Sequence, residues 1–153
     1  MRGDKMKKVF IPKRAIALVE GGEKAPFLNG KVIFEQRRGG VLVTANIFGL
    51  PKGSGMGFFA FHIHSGKSCG GVDFADTEGH YTKSWDIHPK HSGDLPPLMS
   101  NDGRAFMQVL TNRFTVADII GKTVVIHGGV DDFTSQPGGN AGTKIACGVI
   151  KVI

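Results

Sequence analysis

Short apolar runs recur along the chain and alternate with glycine-rich turns. The runs over residues 13–20, 30–36 and 41–48 are compatible with strands, and the second alternates apolar and polar positions. A turn with two glycines joins the second run to the third, which predicts a hairpin. Further strands are predicted at the following positions: 58–64, 104–110, 122–127 and 144–152. Segment 118–121 fits either a strand remnant or a short helical turn.

The pattern fails from residue 65 to residue 103, and a second glycine-rich loop covers 128–143. A loop as long as the first is uncommon inside a compact domain, so something besides a strand ladder must order it. Together, the apolar runs and the two loops predict an all-β fold. We expect an eight-stranded antiparallel Greek-key barrel or sandwich with two long functional loops. The chain, 1–153, is predicted to be a single domain, with 1–12 as a flexible N-terminus.

Composition and charge narrow the function classes. The net charge is +6, but the basic residues are scattered and lack interleaved aromatic residues, so nucleic-acid binding is not expected. A small anionic substrate remains compatible with a basic chain. No apolar stretch reaches transmembrane length, and none near the N-terminus resembles a signal peptide. We therefore expect a cytoplasmic protein for the chain as written, or an extracytoplasmic one if an export segment has been removed.

The histidines are the most informative residues. All six lie where they can act as metal ligands: His62, His64, His80, His88, His91 and His127. Five of them fall between residues 61 and 94, where the hydrophobic pattern is weakest, whereas core histidines would sit singly inside strands. Neutral imidazole suits both copper and zinc, so the clustering favours a metal site.

Two local motifs support that interpretation. His62 and His64 are two apart on a predicted strand, so both side chains point to one face, and His127 at the end of another strand can add a third ligand. In the motif HPKHSGD, His88, His91 and Asp94 are three apart, and the intervening proline and glycine favour a folded loop over a helix. This nitrogen and oxygen set suits zinc, and His80 can complete it.

The two cysteines, Cys69 and Cys147, are too far apart in the sequence to form a CxxC metal or redox motif. They fit either two unrelated buried thiols or one disulfide that joins the irregular segment to the last strand.

Six segments, in order along the chain, resemble the copper–zinc superoxide dismutase family. They are FHIH (61–64), SCGG (68–71), GHY (79–81), HPKHSGDLP (88–96), HGGVDDF (127–133) and GNAGTKIACGVI (139–150). The short spacing inside HPKH is closer to bacterial members of the family than to animal ones. The HxH pair together with the ACGVI ending is a highly specific combination.

The resemblance implies a role for each matching residue. Copper would be held by His62, His64, His80 and His127. Zinc would be held by His80, His88, His91 and Asp94. His80 would bridge the two ions as an imidazolate and carry a proton during catalysis, and Cys69 and Cys147 would form the family's disulfide. Asp131 would bind the outer ring nitrogens of His62 and His88, although an aspartate in a glycine-rich turn is also an ordinary loop cap.

The implied activity is dismutation of superoxide to dioxygen and hydrogen peroxide, with one copper ion and one zinc ion as cofactors and Lys144 guiding the anion. The alternatives are a non-enzymatic copper/zinc-binding module for storage or delivery and a structural β-domain with a stabilising zinc. Edge strands leave a homodimer open. The chain departs from the family at two positions near the substrate mouth: Lys144 replaces the usual arginine, and Gly138 replaces a hydroxyl-bearing residue.

Overall fold

A computed structural model describes residues 9–53 and 55–153. Nine strands lie in these ranges: β1 (Arg14–Gly21), β2 (Asn29–Arg37), β3 (Gly40–Phe48), β4 (Phe58–Phe59), β5 (Phe61–His64), β6 (Leu98–Met99), β7 (Ala105–Thr111), β8 (Thr123–His127) and β9 (Lys144–Val152). One short α-helix, α1 (Val116–Ile119), and two 3-10 helices, Gly55–Gly57 and Val72–Thr77, complete the described elements. None of the helices in the described ranges is long and apolar enough to cross a membrane.

Seven strands form one curled antiparallel sheet in the order β5-β8-β9-β1-β2-β3-β7, and β4 pairs with β6. The hairpin β2–β3 keeps an unbroken register from Asn29 opposite Phe48 to Arg37 opposite Gly40. After β3 the chain crosses to the opposite end of the sheet to form β5, which is a connection between non-neighbouring strands. The fold is therefore all-β with the predicted Greek-key character.

Alternating side chains place the core inside the curled sheet. On β3, Val41, Val43, Ala45 and Ile47 are fully buried, while the residues between them are partly exposed. This period of two turns one face of each strand inward. The core around them includes the rings of Phe34, Phe59 and Phe61 and the side chains of Ile63, Leu98, Ile126 and Ile150. Burial of this apolar face is the main favourable term for the fold.

The structure differs from the predicted elements in detail. The predicted strand 58–64 is divided at Ala60, because β4 pairs with β6 whereas β5 pairs with β8. Segment 118–121 is partly helical, since α1 begins after an N-cap at Thr115 whose hydroxyl accepts the Asp118 N–H. The two-residue strand β6 has no counterpart in the prediction. The predicted flexible N-terminus lies mostly outside the described residues, and residues 9–12 form neither strand nor helix.

The long loop is more regular than its sequence suggests, because its backbone bonds to the edge strand β5. The Ser65 and Gly66 N–H groups donate to the carbonyls of Gly79 and Thr77, at 2.9 and 2.8 Å. The Tyr81 N–H donates to Ile63 at 2.9 Å, and the Ile63 N–H donates to Gly93 at 2.9 Å. The loop thus satisfies its own polar groups and covers the edge of the sheet.

A disulfide between Cys69 and Cys147 fastens the same loop to β9, across a separation of 78 residues. The disulfide reading of the two cysteines is confirmed. The loop that precedes the 3-10 helix Val72–Thr77 is therefore tied to a strand in the middle of the sheet.

Replacing both cysteines, Cys69→Ser with Cys147→Ser, should lower the free energy of unfolding by about 4 kcal/mol, because a closed loop of this length restricts the unfolded chain. Urea unfolding of the metal-free protein measures the change. Adding reductant to the native protein should reproduce it, and an identical midpoint for the native and double-variant proteins would contradict the prediction.

Candidate metal centre

The strands β5 and β8 supply three of the six histidines. His62 and His64 lie on β5, and their side chains are almost fully buried. His127 ends β8, and its N–H donates to the Ala60 carbonyl at 2.9 Å, which fixes it beside the start of β5. The pairing of these two strands therefore brings the HxH pair and the third strand histidine to one place, as the sequence predicts.

The long loop brings the other ligand candidates to the same edge. Isolated bridges pair His64 with His80 and His62 with Asp94, so two parts of the loop run along the edge of β5 that does not pair with β8. Gly93 allows this approach, since a Cβ there would lie 2.3 Å from the Ile63 carbonyl oxygen. The HPKHSGD segment forms turns, as predicted, and does not form a helix.

Four histidines form the first ligand group: nitrogens of His62, His64, His80 and His127 lie within 4.8 Å of one another. The Glu78 carbonyl accepts the Nδ1–H of His64 at 2.8 Å, and the Gly142 carbonyl accepts the Nδ1–H of His127 at 3.2 Å. Because carbonyls only accept, each neutral ring carries its proton on Nδ1 and leaves Nε2 bare. These two Nε2 atoms face each other at 3.2 Å, an arrangement that a cation between them would stabilise.

Asp131 sets the tautomers of two further rings. Its Oδ2 accepts from His62 Nε2 at 2.8 Å, and its Oδ1 accepts from His88 Nε2 at 2.7 Å. The Nδ1 atoms of both rings are therefore unprotonated, and both are buried without a hydrogen-bond partner. Such orphaned buried acceptors are rare in proteins and fit metal ligands.

Asp94 is the centre of the second group. Its Oδ1 accepts from His80 Nδ1 at 2.7 Å, while its Oδ2 lies 3.1 Å from His88 Nδ1 and 3.3 Å from His91 Nδ1. The Nδ1 atoms of His88 and His91 make no hydrogen bond despite that proximity. Because His88 donates its Nε2–H to Asp131, its Nδ1 is an acceptor that faces this carboxylate, and a cation between the two would relieve their repulsion.

His62 and His80 both lie close to both groups. Ligand atoms of His62, His80, His88 and Asp94 also fall within 4.8 Å of one another. The Nε2 of His62 is hydrogen-bonded to Asp131, so only its Nδ1 can bind a metal. His80 has its Nδ1 beside Asp94 and its second nitrogen available on the other side, so the geometry favours His80 as the residue shared by the two groups.

Family comparison agrees with this geometry. The family model described as copper/zinc superoxide dismutase matches residues 28–150 of the chain.

The chain belongs to the copper/zinc superoxide dismutase family.

Bacterial relatives support the assignment over most of the chain. Copper–zinc superoxide dismutase 1 of Aquifex aeolicus is 36% identical over 137 residues, which cover 80% of this chain and 79% of that protein. The copper–zinc superoxide dismutase of Legionella pneumophila is 36% identical over 134 residues, covering 82% and 80%. That of Caulobacter vibrioides is 31% identical over 154 residues, covering 90% and 85%.

The remaining predicted residue, Lys144, lies at the start of β9 and is half-buried. Its Nζ donates to Thr77 Oγ1 at 2.7 Å and to the Glu78 carbonyl at 2.9 Å. The Glu78 carbonyl also accepts the Nδ1–H of His64, so Lys144 and His64 share one acceptor. Burial lowers the pKa of Lys144 from its ordinary value.

Residues that the sequence analysis did not single out also shape the site. Gln136 clamps the backbone of His88, with its Oε1 accepting the N–H at 3.0 Å and its Nε2 donating to the carbonyl at 2.8 Å. Gly139 has a φ of 74°, and a Cβ there would lie 2.2 Å from Asp131 Oδ1. Only the match of Gly139 to a family segment pointed to this region. The Glu78 and Gly142 carbonyls belong to the backbone, so the identity of these residues gives no indication of their role.

The site is open to solvent on one side. A groove of about 330 Å³ is lined by His80, His127 and the second glycine-rich loop around Gln136 and Asn140. At Gly138 a Cβ would lie 3.0 Å from His80 Nε2, so this position borders the available nitrogen of the shared residue. A small molecule in this groove therefore contacts the first histidine group.

Asp131 can be tested against its neighbour Asp132. Burial alone would raise the pKa of Asp131, but the hydrogen bonds from His62 and His88 outweigh it and hold the pKa below its ordinary range. In Asp131→Asn an amide N–H would oppose a ring N–H, so metal affinity should fall about 10- to 100-fold. Isothermal titration of the metal-free protein measures the affinity.

Asp132→Asn is the matched control, because the Asp132 side chain is exposed and caps the N–H groups of Thr134 and Ser135. Its metal affinity should remain that of the unchanged protein. Equal affinity for Asp131→Asn and Asp132→Asn would contradict the role of Asp131.

The buried histidines also predict an acid sensitivity. Burial, followed by smaller contributions of neighbouring charges, lowers the pKa of His64 from 6.5 to about 2 and that of His127 from 6.5 to about 3. As the pH falls below 6.5, the unfolded chain takes up these two protons before the folded one does. The metal-free protein should therefore lose up to about 1.4 kcal/mol of unfolding free energy per histidine and pH unit.

Urea unfolding of the metal-free protein from neutral pH to about pH 4 tests this slope. In the variant His127→Gln, the unfolding free energy should depend less steeply on pH, by the equivalent of one proton. A stability that does not change across this window would contradict the prediction.

Proposed function

We propose that this protein is a copper- and zinc-dependent superoxide dismutase. Two superoxide anions and two protons would give one dioxygen and one hydrogen peroxide. The copper ligands would be His62, His64, His80 and His127, and the zinc ligands would be His80, His88, His91 and Asp94. Family membership and the first histidine group support the assignment, and so do the Nδ1 atoms of His80, His88 and His91, which lie 2.7, 3.1 and 3.3 Å from the Asp94 carboxylate.

The observation that carries this proposal is the convergence of bare ring nitrogens. The Nδ1 of His62 and the Nε2 atoms of His64 and His127 lack protons, because the other nitrogen of each ring is bound to a carbonyl or to Asp131. A nitrogen-only set of four imidazoles suits copper, whereas a set of imidazoles and one carboxylate suits zinc. The two groups therefore differ in the chemistry that the proposal requires.

Bound copper would supply the redox chemistry, accepting an electron from one superoxide and donating it to the next. His80 is the protein group placed to handle the proton. Its Nε2 borders the open groove while its Nδ1 remains beside Asp94. If zinc takes the place of the Nδ1 proton, His80 can hold a proton on Nε2, on the groove side, and deliver it to the reduced oxygen species.

Lys144 is proposed to attract the anion. After burial, its positive charge is one of the smaller causes that lower the pKa of His64 and of His127, which supports a field that reaches the first ligand group. Its hydrogen bond to the Glu78 carbonyl also supports the acceptor that orients His64. We therefore assign it electrostatic guidance and a secondary part in holding His64.

Superoxide decay after pulse radiolysis tests the function directly. The protein loaded with one copper and one zinc should accelerate the decay, and the rate should fall with added salt because screening shortens the range of the positive field. Slow decay at full copper occupancy would contradict the proposal and favour a metal-binding module without catalysis.

Lys144→Ala should lower the decay rate constant by up to about ten-fold and weaken its salt dependence, with copper retained. Lys151→Ala provides the matched control, because Lys151 is an exposed lysine on the same strand, β9. Copper content by atomic absorption confirms equal loading. Identical rates and salt slopes for the two variants would remove Lys144 from the mechanism.

A further inference from the structure

Arg113 lies two residues after the end of β7, and its side chain reaches the loop that carries three of the proposed zinc ligands. Its Nη1 lies 2.9 Å from the Pro89 carbonyl oxygen, 3.2 Å from that of His91 and 3.3 Å from that of Asp94. A guanidinium nitrogen of this kind carries two protons, so the three acceptors share them. One positive charge therefore gathers three carbonyl groups of a single short loop.

Gln136 holds this turn at His88 and Ile63 holds it at Gly93, whereas the hydrogen bonds inside the turn are local, so Arg113 is a further attachment. The Asp94 N–H donates to the His91 carbonyl at 3.1 Å, and Asp94 Oδ2 accepts the His91 N–H at 3.0 Å. Converging carbonyl dipoles repel each other unless a cation lies between them. The shape of the turn and the position of the Asp94 carboxylate are thus coupled, and Arg113 stabilises both.

Arg113 is itself held by the barrel. Its N–H donates to Thr111 Oγ1 at 3.3 Å, at the end of β7. The next residue, Phe114, is 2% exposed, and its ring packs against that of Phe34 on β2 with centroids 6.4 Å apart. The backbone of the exposed Arg113 is therefore held by the rigid barrel. Its guanidinium group in turn fixes the loop relative to the sheet.

We propose that Arg113 is a positioning residue for zinc, which holds the 88–94 turn in the shape that brings His88, His91 and Asp94 together and thereby sets the affinity and retention of the ion. The inference rests on the proposed function, because it takes these three residues as zinc ligands. Without Arg113 the ion itself must order the part of the turn around the Pro89, His91 and Asp94 carbonyls, and that entropy cost reduces its binding free energy. Three of the four proposed copper ligands, His62, His64 and His127, lie on strands, so copper binding depends less on this turn than zinc binding does.

The test compares Arg113→Met and Arg113→Lys with a matched arginine. Arg104→Met is the control, because Arg104 precedes β7 at its other end and its guanidinium lies over the Phe48 ring, 4.9 Å from the centroid. Zinc affinity is measured on the full chain by competition with a chromophoric chelator, and copper affinity is measured in the same way. Urea unfolding of each metal-free variant reports any general loss of stability.

Arg113→Met should bind zinc about 10- to 100-fold more weakly and release it faster, with a much smaller loss of copper affinity. Arg113→Lys should recover part of the loss, because an ammonium keeps the charge and three donors but lacks the planar fork. Arg104→Met should match the unchanged protein.

Unchanged zinc affinity in Arg113→Met would overturn the inference while leaving the proposed function intact. An equal loss of copper and zinc affinity, accompanied by a lower unfolding free energy, would also overturn it, since the residue would then act on the whole fold. His91→Ala is the reference for the ligand assignment. If it binds zinc as tightly as the unchanged protein, both the zinc assignment and the inference fail.

Discussion

The orientation of the buried imidazoles depends on hydrogen bonds at their outer nitrogens. Backbone carbonyls bind the outer nitrogens of His64 and His127, and the Asp131 carboxylate binds those of His62 and His88. Each bond fixes a tautomer and turns a bare nitrogen inward. Burial lowers the pKa of His64 and of His127 and so keeps these two rings neutral. The ability of these rings to bind a metal therefore depends on the carbonyls and the carboxylate that hold the candidate ligands from behind.

The strands hold one part of the candidate site, and the long loop holds the other. The strands β5 and β8 hold three rings rigidly, because their backbones belong to the sheet ladder. The long loop delivers His80, His88, His91 and Asp94 and is fastened at several points, by its hydrogen bonds to β5 and by the Cys69–Cys147 disulfide. Gly93 and Gly139 allow the loops to approach closer than any side chain would permit. The strand histidines and the fastened loop together form a site that fits the two different ions that we propose.

Much of this arrangement could be predicted from the sequence, because the relevant signals are local. The period of two in β3, the HxH spacing on β5 and the HPKHSGD turn all predict structure that the chain adopts. The division of 58–64 at Ala60 and the pairing of β6 depend on contacts between distant segments, which no local pattern encodes. The same holds for Gln136 on the His88 backbone and for Arg113 on the 88–94 turn. The roles of the Glu78 and Gly142 carbonyls follow from backbone geometry alone, which leaves no trace in residue identity.

Anomalous diffraction at the copper and zinc absorption edges, from crystals of the metal-loaded protein, tests the central claim most directly. The account predicts a copper peak bounded by His62, His64, His80 and His127, and a zinc peak bounded by His80, His88, His91 and Asp94. The His80 ring should lie between the two peaks, with one nitrogen toward each. A single shared peak, or a His80 ring that binds one ion only while the other ion lies elsewhere, would contradict it.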